Sequence, residues 1–176
     1  MPRAEIKIDT SSLKHILTLM EDIDKKVKRK GIKKALRKGG KILVDAAVER
    51  VQKKYRVLAK ALGIREKVVI NSKDQYGYAV IGARRRAGKW IKGLEHIPTK
   101  YAHFVEYGVN KHPIGKGDVT NEELLKRKDK SLKANGPMHP GFAAKPYLRP
   151  AWDNNRDRIL GEMERVLRET IEEGRA

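Results

Sequence analysis

The chain has 176 residues, of which 39% are hydrophobic and 36% charged. That suits one domain with its own core and is too apolar for a wholly disordered chain. Its 41 Lys and Arg against 22 Asp and Glu leave a formal charge of +19, a field that draws polyanions: nucleic acid, acidic lipid or an acidic protein face. There is no cysteine, which excludes a disulfide framework and any thiolate metal site. The first ten residues carry no apolar signal-peptide core, and no run approaches the ~18 apolar residues of a membrane span. The expectation is a soluble, cytoplasmically made single domain over 1–176.

Ala4 to Asp9 alternates, with Ile6 and Ile8 on one face and Glu5 and Lys7 on the other, the pattern of a half-buried strand. Asp9, Thr10, Ser11 and Ser12 then offer helix caps. Leu13, Ile16, Leu17, Met20, Ile23 and Val27 follow at helical spacing, predicting a helix over 12–29 that Gly31 ends or turns. A second helix is expected over 32–54, with Ile32, Leu36, Leu43, Ala47 and Val51 on its apolar face. Gly39 and Gly40 interrupt it, which makes sense where another backbone passes close or where the helix breaks. Its outer face carries Lys33, Lys34, Arg37, Lys38 and Lys41.

Val57 to Gly63 reads as a short helix capped by Gly63. Lys67–Ile70 and Tyr78–Gly82 read as strands of a hairpin with a polar loop over 71–77. Arg84, Arg85 and Arg86 open a basic loop, and Trp90, Ile91 and Leu94 return toward the core. Lys100 to Tyr107 is a short amphipathic segment closed by Gly108. Residues 109–145 are rich in Gly, Pro, Lys and Asn and largely aperiodic, the composition of a mobile arm. Thr120 and Glu123 have capping-box spacing for one short helix inside it. The last element is the clearest: Pro150 suits a first helical turn, and Trp152, Ile159, Met163, Val166, Leu167, Thr170 and Ile171 repeat at three to four residues before Gly174.

Little here carries catalytic chemistry. His15, His96, His103, His112 and His139 have neither cysteines nor a carboxylate cluster to complete a metal set. His112-Pro113 and His139-Pro140 read as turns. His103 and Glu106 are three residues apart on one helix and could form an orienter–base pair, but no nucleophile lies in a recognisable frame. A half-exposed polar face beside Phe104 and Tyr107 is the plainer account. Gly115 and Gly117 lack the strand–helix context of a phosphate loop. The basic face of the second helix with Arg84, Arg85 and Arg86 is the strongest electrostatic feature. It suits a phosphate backbone, an acidic partner or plain solvent, and no basic segment interleaves the aromatics of a single-strand stacking platform.

Two segments carry a resemblance. They are Tyr101-Ala102-His103-Phe104-Val105-Glu106-Tyr107-Gly108 and Lys145-Pro146-Tyr147-Leu148-Arg149-Pro150-Ala151-Trp152, the second leading into the terminal helix. In this order they resemble the tail-component family of long-tailed phages, the neck or tail-completion proteins of HK-type and lambda-like viruses. The similarity runs from about Ile6 to Ile171. Two departures stand out: Tyr55–Gly63 replaces the family's P-x-x-T-G-x-L stretch, and the linker over 109–144 is long.

The resemblance implies a non-enzymatic virion morphogenesis protein at the head–tail junction, without cofactor, metal or membrane contact. Its implied partners are other phage neck and tail proteins, in a homo-oligomeric ring whose subunits can be monomers when isolated. The implied location is the virion, and the host cytoplasm during assembly, with the positive face toward an acidic ring or the DNA path. In the motifs, Tyr101, Phe104, Val105 and Tyr107 can bury one helix face, Leu148 and Trp152 can hold the terminal helix, and Pro146 and Pro150 stiffen its start. Arg149 has Glu106 as a candidate partner. The expected fold is α+β, a small antiparallel sheet packed by N-terminal helices and a C-terminal helix. Charge alone allows one alternative, a basic nucleic-acid-binding protein of ribosomal or nucleoid type.

Overall fold

The computed structural model describes residues 4–10, 13–20, 23–52, 55–70, 75–84, 98–113 and 138–175. In chain order these form β1 (Glu5–Asp9), α1 (Lys14–Leu19), α2 (Lys25–Arg50), α3 (Arg56–Ala61), β2 (Leu62–Ile70), β3 (Gln75–Ala83), α4 (Pro98–Tyr107), β4 (His112–Pro113), β5 (Met138–His139) and α5 (Leu148–Arg175). The main sheet is antiparallel, with strand order β1-β3-β2. The fold is α+β, as expected, with helices from both ends of the chain on one face of the sheet. Strand alternation turns Ile8, Ala79 and Ile81 inward to full burial, and Ile6 and Ile64 pack beside them.

The N-terminal helices are divided differently from the sequence reading. Instead of helices over 12–29 and 32–54, a six-residue α1 is followed by one 26-residue α2. The cause is Asp24. Its carboxylate accepts the backbone N–H groups of Lys26 at 2.7 Å and Val27 at 3.4 Å, starting a new helix there. Gly31 therefore ends nothing. It lies inside α2, pressed against the buried side chain of Thr170 on α5.

Gly39 and Gly40 do not break the helix either. A Cβ on Gly39 would sit 2.7 Å from Met163 Cγ, and one on Gly40 would sit 3.1 Å from Ile64 Cδ1. One glycine admits α5 and the next admits β2, so α2 runs between the terminal helix and the sheet. Ile32, Ala35, Leu36, Leu43 and Ala47 fill the seam and are fully buried.

Gly63 is not a helix cap. The chain turns extended at Leu62 (φ −62°, ψ 138°), and Gly63 lies within β2 opposite Gly82 of β3. Both hairpin strands are longer than their β-branched centres suggested, because pairing continues from Leu62–Ala83 to Ile70–Gln75. The ends of the 109–145 segment also have structure. Val109 and Phe142 exchange backbone hydrogen bonds of 3.0 and 2.9 Å, and His112 and Pro113 pair with His139 and Met138. The histidines expected in turns are thus register partners. Residues 114–137, with Thr120 and Glu123, lie outside the described residues, as do Arg85, Arg86, Trp90, Ile91, Leu94 and His96.

Alanine substitutions should separate a buried glycine from an exposed one. Gly31→Ala gains about 1 kcal/mol of helix propensity but forces a methyl into Thr170, and a net loss of about 1–2 kcal/mol is expected in urea denaturation. Gly161→Ala on α5, with nothing within 4 Å of the new Cβ, should gain about 0.5–1 kcal/mol.

Candidate assembly interface

Helix α4 buries Ala102, Val105 and Glu106, with Tyr101 half-buried beside them. It stops at Gly108, whose φ of 75° suits glycine, and where a Cβ would meet Ala144 N at 2.7 Å and Phe142 O at 2.9 Å. The returning chain docks directly on α4: the Lys145 N–H donates to Val105 O at 2.8 Å. The two sequence motifs are therefore adjacent in space.

Glu106 joins them. The residue is only 4% exposed. Oε2 accepts the backbone N–H groups of Tyr147 at 2.8 Å and Leu148 at 3.0 Å, and Oε1 accepts that of Arg149 at 3.0 Å. These groups open α5, where a helix has N–H donors without internal partners and a positive dipole end. Pro150 follows with no N–H to satisfy. A residue from the first motif thus caps the helix of the second.

The expected link between Arg149 and Glu106 is real in position but different in kind. It runs through the Arg149 backbone, while the guanidinium lies 5.9 Å from the centroid of the Tyr107 ring, within cation–π range. Tyr107 is 47% exposed, Arg149 is exposed and Trp152 half-buried. With Ala4, Glu5, Ile6, Glu106 and Leu148 they line a notch of ≈ 230 Å³ between β1, the end of α4 and the start of α5.

His103 and Glu106 do not form an orienter–base pair, because the carboxylate is taken up by backbone N–H groups. His103 Nε2 is buried without a partner, and its ring lies 3.9 Å from that of Phe104. Tyr147 is fully buried with its hydroxyl unpartnered. Burial, and secondarily the Glu106 carboxylate, push that phenol well above the usual tyrosine value. Pro146 is exposed. Among the described residues no group of three or more His, Cys, Asp or Glu could hold a metal, and no helix is long and apolar enough to cross a membrane.

The basic face of α2 is not one patch. Lys33 and Arg37 turn toward Glu66 of β2, at 3.8 and 2.7 Å, and Lys34 toward Glu173 of α5, at 3.9 Å. Burial works against ionisation of Glu66, but its backbone hydrogen bond and the hydrogen bond and charge of Arg37, with Lys33, outweigh it and lower the pKa. Lys38 and Lys41 remain exposed on α2. Arg84 lies elsewhere, its side chain over Gly63 of β2.

The result is an α+β body in which one cap locks the two motifs together, with Tyr107 and Arg149 exposed and Trp152 half-buried beside them. The family model that matches it is described as "Bacteriophage HK97-gp10, putative tail-component" and covers residues 14–108. That is more than half of the chain, from the first residue of α1 to the glycine that ends the first motif, and the chain belongs to this phage tail-component family. The second motif and α5 lie beyond the matched span. No curated protein and no solved structure matches the chain.

Removing the cap should be costly. Glu106→Ala is expected to lose about 2–4 kcal/mol, because it strands buried N–H donors. Glu106→Gln should lose less, and Arg149→Ala under about 1 kcal/mol. Tyr147→Phe should be neutral or slightly stabilising at pH 7, since it deletes a hydroxyl that bonds to nothing. A phenol with a raised folded pKa supports the fold fully below its unfolded value of ~10 and loses that contribution as pH rises toward the folded value. The advantage of Tyr147→Phe should therefore widen above pH ~10, measured as the difference in urea midpoints between variant and wild type.

Proposed function

We propose that this tail-component family member is a non-enzymatic neck or tail-completion protein, acting at the head–tail junction of a long-tailed phage or prophage. Family membership supports the virion role. The observation that carries the docking reading is the notch of Tyr107, Arg149 and Trp152. Tyr, Arg and Trp are the residue types that dominate binding energy at protein interfaces, and the Glu106 cap holds all of them on one rigid base. Other neck and tail proteins are the partners, and copies of this chain form a ring in the virion. Duplication of one notch around a ring gives many weak contacts a high joint affinity.

Electron microscopy of particles carrying Tyr107→Ala with Arg149→Ala tests the reading. Both side chains are exposed, so the variant should fold as the wild type does, checked by its unfolding midpoint. The expected result is filled heads and tails that fail to join. Normally tailed particles from a folded double variant would refute docking through this notch.

A further inference from the structure

The sheet has a second face, turned away from α2, which the strand register assembles from three distant segments. Lys7, Val80 and Arg65 form one row across β1, β3 and β2; Tyr78 and Lys67 stand side by side in the next; Tyr76 stands opposite Val69. All belong to the face opposite Ile8, Ala79 and Ile81, because neighbours along a strand point to opposite sides. Lys7, Arg65, Lys67 and Tyr76 are exposed, and Val69, Tyr78 and Val80 are half-buried. Arg84 joins them at one end, where glycine at position 63 leaves room for its side chain.

The charges on this face differ from those of α2. Lys33, Lys34 and Arg37 have carboxylates within 4 Å. Lys7, Arg65, Lys67 and Arg84 form no ion pair among the described residues, and among the side chains described on this face the acidic one is Glu5. The Lys7 ammonium lies 4.8 Å from the centroid of the Tyr78 ring, which holds it on the face and covers that ring. Tyr76, 43% exposed, is left open.

Spaced cations around an open aromatic ring are the arrangement that binds a nucleic-acid strand: the cations take phosphates, and the ring stacks on a base. An open sheet face offers no helix or ribbon to enter a duplex groove, whereas unpaired bases can lie against it. We propose that this face binds single-stranded nucleic acid, with phosphates at Lys7, Arg65, Lys67 and Arg84 and a base stacked on Tyr76. The proposal rests on other residues than the docking notch, which α4 and α5 form with the first residues of β1.

Fluorescence anisotropy with the full chain tests it, using a labelled mixed-sequence single strand of roughly twenty nucleotides, the matching duplex and a labelled polyglutamate of similar length. The single strand should bind more tightly than either. The triple variant Lys7→Gln/Arg65→Gln/Lys67→Gln should weaken it at least about tenfold and flatten its salt dependence, the log–log slope shrinking by about 2. Tyr76→Ala should weaken the single strand about five- to a hundredfold while changing the duplex little. Lys38→Gln/Lys41→Gln on α2 should change neither. The proposal is overturned if no strand binds at low salt, if the α2 variant abolishes binding while the sheet variant does not, or if polyglutamate binds as tightly as the strand, which would make the face a dock for acidic protein.

Discussion

One buried carboxylate sets the geometry on which the rest depends. Glu106 receives the three backbone N–H groups at the start of α5, and α5 in turn closes over α2. Isolated, a carboxylate so far from water would cost several kcal/mol. Here three hydrogen bonds and the positive helix end offset that cost. The net gain in stability is modest, but the geometry is strict: the carboxylate is satisfied only when the helix begins at Leu148 and only when α4 lies beside it. The cap therefore fixes where a 28-residue helix starts, across a gap of forty-odd residues in the chain.

The direction set at Glu106 is used along the full length of α2. Gly31 and Gly39 lie at the seam with α5, facing Thr170 and Met163, and Gly40 faces Ile64 on the other side. Each of these glycines lowers the intrinsic helicity of α2 by about 1 kcal/mol against alanine. In exchange, a helix and a sheet approach it closely from two sides, and close packing recovers dispersion energy over the whole contact. The result is a stiff body. Its exposed aromatic and cationic groups sit on packed elements, which keeps ordering costs low in the docking proposed above.

Patterns of period two and period 3.6 were enough to locate β1, the hairpin and the terminal helix, because each buries one face. What failed were boundaries and partners set by distant residues. Gly31 and Gly63 read as helix stops because glycine usually is one; Thr170 and the β2–β3 pairing decide otherwise, and neither is visible locally. The helix start at Asp24 is masked in the sequence by an unbroken apolar stripe from Leu13 to Val27. Glu106 suggests a guanidinium partner because residue types advertise side-chain charges, whereas its actual partners are backbone N–H groups that every residue but proline possesses. The basic face of α2 looked continuous because its counter-charges, Glu66 and Glu173, come from other elements. The cationic sheet face is invisible in the sequence for a related reason: Lys7, Arg65, Lys67 and Tyr76 are brought together only by register.

Native-state hydrogen exchange, resolved by residue, tests the role of Glu106 most directly. If the carboxylate binds the start of α5 as described, the amides of Tyr147, Leu148 and Arg149 exchange only through global or near-global opening, as slowly as the centre of the helix. In Glu106→Gln they should exchange much faster, together with the last turn of α4. Rapid exchange of these three amides in the wild-type protein, with the helix centre still protected, would contradict the account.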